Sequence, residues 1–355
     1  MRSKTAFLCG IVLALTVPFA AAGTYSGGSG TPHDPYQIGT PDDILDMSAT
    51  PDDWSGHFLM IADVNMLGHT FDRAVIAPDT HPKVGFQGTE FTGVFDGAGH
   101  RILNLAIRET LLDVDFMGFF GRIGAPGQLL NLGLEAVDIQ AMGDYAGALV
   151  GHNSEGSITT CYSTGAVAGV SYSYAVGGLV GENGGLIVDC HCTGPVTGYY
   201  DSVGGLVGVN GTKGCIIASC STGAVAGATE VGGLVGENRG SCTGCYSTSP
   251  VTGDGVGGLV GRNTGSITAC YSTGQVTAGG YVGGLVGWNY ASITASYSTG
   301  AVMGGRYDGG LVGGDHSLRH DVTGCFWDKQ TSGRSDSVAG TPLTTEQMQQ
   351  AATFL

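Results

Sequence analysis

Past the first twenty or so residues, the apolar positions of this chain fall in short runs closed by glycine, asparagine or a Thr-Gly pair. The stretch VGGLVGRNTGSITACYSTGQV, Val256 to Val276, is typical, and VGGLVGWNYASITASYSTGAV follows it at Val282 to Val302. No 3.6-residue period runs through either. Each glycine in a helix interior would cost about 1 kcal/mol, and every unit carries several. Brief β-branched runs broken by turn residues are the pattern of strands. The GGLVG element recurs with its first glycine at Gly177, Gly204, Gly232, Gly257, Gly283 and Gly309, after a GALVG variant at Gly147. The steps are 30, 27, 28, 25, 26 and 26 residues. Such a unit holds about three short strands and three turns, one coil of a repeat array. The pattern predicts an all-β chain, a single right-handed parallel β-solenoid. Counting TGVFDG at Thr92 and MGFFG at Met117 as degenerate copies gives about nine coils.

Stacking the coils turns sequence positions into columns. One is asparagine: Asn153, Asn183, Asn210, Asn238, Asn263, Asn289, with Asp315 last. Another is cysteine: Cys161, Cys190, Cys220, Cys245, Cys270, then Ser296 and Cys325. A third is valine, from Val167 to Val302. The asparagines are expected to bond coil to coil, as amide stacks do in cross-β assemblies. The column after cysteine reads Tyr162, His191, Ser221, Tyr246, Tyr271, Tyr297, Phe326; the column before it includes Asp189. A carboxylate there marks the solvent side, so alternation puts cysteine inside and tyrosine outside. The isoleucines three residues before the cysteines (Ile158, Ile187, Ile217, Ile267) have the wrong parity for this, which requires a bend between them. Tyr246, Tyr271 and Tyr297 form a possible ligand strip.

Both ends carry cap signals. Thr40-Pro41-Asp42-Asp43 reads as N-cap, first-turn proline and acidic third position of a helix reaching about Ser48. Thr344-Thr345-Glu346-Gln347 is a capping-box pattern opening a second short helix.

Composition then narrows the class. With 65 glycines, 42% hydrophobic residues and 12% charged ones the chain is neither disordered nor helical-bundle material. A net charge of −16 excludes the basic footprint of a nucleic-acid binder. Arg2, Lys4, the apolar run Thr5 to Phe19 and Ala20-Ala21-Ala22 read as a secretory signal peptide, too short for a membrane span. The expected organisation is a signal peptide at 1–22, an N-terminal capping region at 23–90, repeats at 91–328, and a C-terminal cap or truncated tail at 329–355. No other apolar run is long enough to span a membrane, so the mature chain is expected to be exported, in the extracellular space or at the cell surface.

The motif GGLVGxN followed by I, then CYSTG and V, resembles the GLUG-motif repeat of bacterial secreted and surface proteins. The similarity is strong from about Tyr145 to Val312. GGSGTPHDPYQI and FTGVFDGAGHRILNL are similar to the segment that precedes such repeats, and CFWDKQTSG to the one that follows. The resemblance implies fold and location; some members of that family are attached to immunoglobulin-A-type metallopeptidases or to adhesin-like proteins.

Reactive chemistry is sparse. The nine histidines include no H-E-x-x-H pair. The lone Cys242-x-x-Cys245 has no second pair to complete a zinc site. In-register cysteines sit too far apart for disulfides, leaving Cys215 and Cys242 as the better-placed pair. The position after GLVG reads His152, Glu182, Val209, Glu237, Arg262, Trp288; Glu182 and Glu237 fall roughly 10 Å apart, just beyond the spacing of inverting glycosidases, and Glu237 with Arg262 reads as a one-coil ion pair. The expectation is a non-catalytic repeat protein with a structural or adhesive role, without metal or cofactor, meeting extracellular polysaccharide or surface proteins. The alternatives are a polysaccharide lyase or hydrolase and a carbohydrate-binding module.

Overall fold

The computed structural model describes residues 23–81, 85–109, 114–316 and 321–350. The signal-peptide reading of 1–22 lies outside the described residues. Successive strands pair in parallel along the whole molecule, from Tyr36–Ile38 against His57–Met60 to Phe326–Asp328 against Thr341–Leu343. The chain is a parallel β-solenoid, and its strands form three walls.

The isoleucine wall has eleven strands, and Phe58, Phe95, Leu129, Ile158, Ile187, Ile216, Cys242, Ile267 and Ile293 line its inner face. The Val-Gly-x-Asn wall has eight strands, from Phe120–Ile123 to Val312–Asp315. The third wall carries the tyrosine and valine columns. Eight strands in the second wall mean about eight turns, not nine. MGFFG is a true copy, because Phe120 pairs with Val150. TGVFDG is not: Phe95 pairs with Leu129 and so belongs to the isoleucine wall.

The parity problem is solved at one corner. The residue before each inward cysteine or serine is left-handed, as at Thr160 (φ 53°), Asp189 (φ 52°), Ala218 (φ 49°), Ala269 (φ 54°) and Ala295 (φ 48°). That corner turns the chain between the isoleucine and the cysteine, so both point inward. Cys161, Cys190, Cys245, Cys270 and Cys325 are all buried. Cys220 is a correction. Ile216, not Ile217, pairs with Ile187, so Ser219 takes the inward place and Cys220 pairs with His191 and Tyr246. Two adjacent isoleucines offered two registers, and the structure uses the earlier one. The Cys215–Cys242 bond is also overturned. Cys242 fills an inward isoleucine position, whereas Cys215 lies one place earlier on the strand pairing and is half-buried. Both are free thiols.

The second glycine of GGLVG is dictated by contact. A Cβ at Gly258 would lie 2.1 Å from Ser272 Oγ and 2.2 Å from the Gly284 carbonyl oxygen, closer than any real carbon sits. The neighbouring serines use this proximity: Ser272 donates to the Gly284 carbonyl at 2.9 Å and Ser298 to Gly310 at 2.6 Å.

The asparagine column forms a continuous buried amide ladder. Asn153 donates to Asn183 (2.8 Å), Asn183 to Asn210 (2.9 Å), Asn210 to Asn238 (2.8 Å), Asn238 to Asn263 (2.9 Å) and Asn263 to Asn289 (2.9 Å). Asn289 ends it on Asp315 at 3.2 Å. The same amides hold the turns, Asn153 accepting from the Gly156 N–H at 2.8 Å.

At the front, helix α1 (Pro41–Ala49) has Thr40 as N-cap with a complete capping box, and buries Ile44 and Met47. At the back, helix α2 (Thr345–Met348) starts from the Thr344 capping box.

Replacing Asn238 by alanine should leave the Asn263 acceptor without its ladder partner, while the Asn210 amide keeps the Gly214 and Ser241 carbonyls at 3.2 and 3.3 Å. The expected loss is about 1–3 kcal/mol, for one stranded buried group, measured by denaturant unfolding.

Candidate functional site

The corner and the alternation after it fix where the aromatic column lies. Tyr246, Tyr271 and Tyr297 pair residue for residue across three coils and are half-buried on the outside of the third wall. Their rings are parallel, with centroids 5.0 and 5.1 Å apart and interplanar angles of 3° and 5°. Nearly parallel planes at that separation form an offset stack. Each ring partly covers its neighbour's face, so the strip meets solvent largely through ring edges and phenol oxygens. The possible ligand strip is thus a comb of ring edges. Tyr162 and His191 continue it on earlier coils, 5.0 Å apart at 4°. Cys220 interrupts the column between His191 and Tyr246, standing where Ser221 was expected. The Cys220 thiol beside the Tyr246 hydroxyl pushes that phenol up to about 12.

A cleft flanks each end of the comb. The first, about 480 Å³, lies beside Tyr162 and His191 and is edged by Asn131, Thr160 and Asp189. The second, about 590 Å³, opens between Tyr297 and the C-terminal cap, with Asp328, Thr345 and Met348 on its far side. Both exceed the lower bound of about 300 Å³ for ligand pockets.

The column after GLVG lies on another wall. Glu237 is 3% exposed and held by Arg239 at 2.6 Å and Arg262 at 3.3 Å. Tyr174 and Arg239 also share a hydrogen bond of 2.7 Å. This network satisfies itself. Val209 separates Glu182 from Glu237, pairing with both, so the two carboxylates are not brought together. His152 faces Glu182 at 3.9 Å. Burial, with the Arg122 charge second, lowers the imidazole to about 4. Burial also raises the Glu182 carboxyl. Among the described residues no three His, Cys, Asp or Glu side chains gather around a metal position.

The model of the GLUG motif matches residues 143–168, 252–277 and 278–303. The chain carries GLUG repeats. The chain is similar to halomucin from Haloquadratum walsbyi, 32% identical over 163 residues, 45% of this chain and 2% of that protein. It is also similar to a candidate Gly-rich membrane protein from Evansella cellulosilytica, 33% identical over 157 residues, 42% of this chain and 17% of the other. The chain therefore spans only a small part of these relatives. Among solved structures, a candidate immunoglobulin A1 protease from Bacteroides ovatus is similar to this chain in fold. The TM-score is 0.56 at 22% identity, over 83% of this chain and 88% of that one. At that identity the likeness concerns fold alone.

His152 gives a pH signature. The unfolded imidazole takes a proton below about 6.5, while the folded one resists it down to about 4. Stability is therefore lost as pH falls through that window. Wild type should lose about 2 kcal/mol more than His152→Gln between pH 7 and 4.5, read by denaturant unfolding at both values.

Proposed function

We propose that this chain is an exported, non-catalytic repeat rod with a structural or adhesive role at or outside the cell surface. The observation that carries the reading is the outward tyrosine comb, Tyr246–Tyr271–Tyr297, a row of aromatic edges and hydroxyls at one ring per coil. A rod of buried apolar residues and closed amide ladders needs no such row for stability. Ring edges with phenol oxygens on a polar wall suit repeated contacts along an extended partner. The names of halomucin and of the Gly-rich membrane protein fit a place at the surface.

A second reading, a carbohydrate-binding module, is favoured by the two clefts at the ends of the comb. Their edges mix aromatic rings with Asn131, Thr160 and Asp189 at one end and with Asp328 and Thr345 at the other. Such mixed surfaces hydrogen-bond hydroxyls while stacking on ring carbons.

A glycan array, with polysaccharide degradation followed in parallel, separates the readings. Binding without degradation, weakened in Tyr271→Ala, supports the comb as the contact row. Tyr271→Ala should cost only about 1–2 kcal/mol, from two lost ring contacts, against about 3–5 for a buried ring. Degradation of any polysaccharide would overturn the non-catalytic reading. Surface placement is tested separately by protease accessibility on whole cells, with protection from protease as the contrary result.

A further inference from the structure

The outer face of the third wall carries a second column beside the rings. Thr248, Thr273 and Thr299 stand two positions after Tyr246, Tyr271 and Tyr297, with the buried serines Ser247, Ser272 and Ser298 between them. Alternation therefore gives threonine and tyrosine the same outward face. The register continues into the next coil, where Phe326 pairs with Tyr297 and Trp327 with Ser298. The residue in step with Thr299 is Asp328. A column of hydroxyls thus ends on a carboxylate, inside the cleft of about 590 Å³ beside the C-terminal cap.

Asp328 differs from the hydroxyls before it. It is 2% exposed, whereas Thr273 is exposed and Thr299 half-buried. Its Oδ1 accepts from the Gln330 and Thr331 N–H groups at 2.8 and 3.2 Å. Its Oδ2 accepts no hydrogen bond from the described residues. Buried polar atoms are bonded as a rule, so this oxygen is open to a donor from outside the chain. No second carboxylate, histidine, lysine or arginine lines the cleft with it. The Thr273 and Thr299 hydroxyls make no side-chain hydrogen bond among the described residues either. Tyr297 borders the cleft on one side and Met348 on the other.

A ligand that suits these groups needs hydroxyls and apolar C–H surface on one compact frame. A carboxylate oxygen takes a hydroxyl proton, and a threonine hydroxyl gives or takes one. Coil neighbours stand about 4.8 Å apart, a step that hydroxyls on adjacent ring carbons can bridge. The C–H faces then meet Tyr297 and Met348. An acidic sugar would set its own carboxylate against Asp328, a like-charge contact that costs affinity. We propose that this cleft binds one neutral sugar residue, with Asp328 accepting from one hydroxyl and Thr299 bonding the next. The proposal rests on the carbohydrate-binding reading and deepens it, because it places the decisive contact on Asp328 and not on the tyrosine row.

The full chain is titrated with the methyl glycosides of glucose, galactose and mannose, with methyl glucuronide and with n-pentylamine, followed by calorimetry and ligand-observed NMR. At least one neutral glycoside should bind, and the glucuronide should bind about tenfold more weakly or not at all. Asp328→Asn keeps an oxygen for the Gln330 and Thr331 N–H groups but replaces the second acceptor by a donor, and should weaken the glycoside about tenfold or more. Thr299→Val should weaken it several-fold, and serves as the folded variant if Asp328→Asn loses its melting transition. Tyr246→Ala, two coils away, should leave the affinity unchanged. Unchanged affinity in the folded variant, preference for the glucuronide, or binding of the amine in place of the sugars overturns the proposal. Silence with every glycoside while a glycan array is positive overturns it alone; silence in both removes the carbohydrate-binding reading with it.

Discussion

Buried amides set the register of this solenoid. An asparagine side chain away from water must find partners for its donors and its acceptor, or it destabilises the fold by an amount comparable to a lost hydrogen bond or more. Each ladder asparagine is fully buried and meets that demand by bonding to the equivalent residue one coil on, an asparagine or, for Asn289, Asp315. A slip of one position would strand a whole row of such groups. Apolar burial alone would tolerate several registers, since valine, leucine and isoleucine pack alike to within about 1.5 kcal/mol. The amide ladder removes that freedom, and every other column inherits the result.

The outer surfaces follow from that inheritance. Tyr246, Tyr271 and Tyr297 stack because the ladder holds their coils in step, and the corner residues Ala269 and Ala295 send two of them outward. The close glycines act in the same way, allowing the third wall to approach the GLVG strands until Ser272 and Ser298 reach glycine carbonyls. Where the repeat is degenerate, as around Phe116 and Arg122, the columns no longer repeat a single residue type. There the wall opens into a cleft of mixed charge. Regular coils give this rod a row of stacked rings, and irregular ones give it a pocket.

Much of this was legible because the chain compares itself with itself. The asparagine, valine and tyrosine columns recur often enough to be read without structure, and the caps at Thr40 and Thr344 rest on local hydrogen bonding. The errors arose where local identity and spatial register part. Ile216 and Ile217 are chemically equivalent, so only pairing with Ile187 shows that Cys220 leaves the cysteine column. TGVFDG looks like a GLVG copy, yet Phe95 packs in the isoleucine wall. Cys215 and Cys242 look adjacent, yet strand alternation sends them different ways. The cleft near Phe116 is not marked by any column because Asp144 and Tyr145 precede the motif; the run Arg122, His152, Glu182 across three coils, with Arg122 directly after the MGFFG copy, is the signal that points to it.

The most direct test is hydrogen–deuterium exchange at the ladder itself. Side-chain amide protons of Asn183, Asn210, Asn238, Asn263 and Asn289 can be followed by NMR after transfer to heavy water. Protection as long-lived as that of the neighbouring strand amides is the predicted result, because the ladder opens only when the coils do. Exchange as fast as that of an exposed asparagine, with the backbone amides still protected, would show that the ladder does not hold the coils in register.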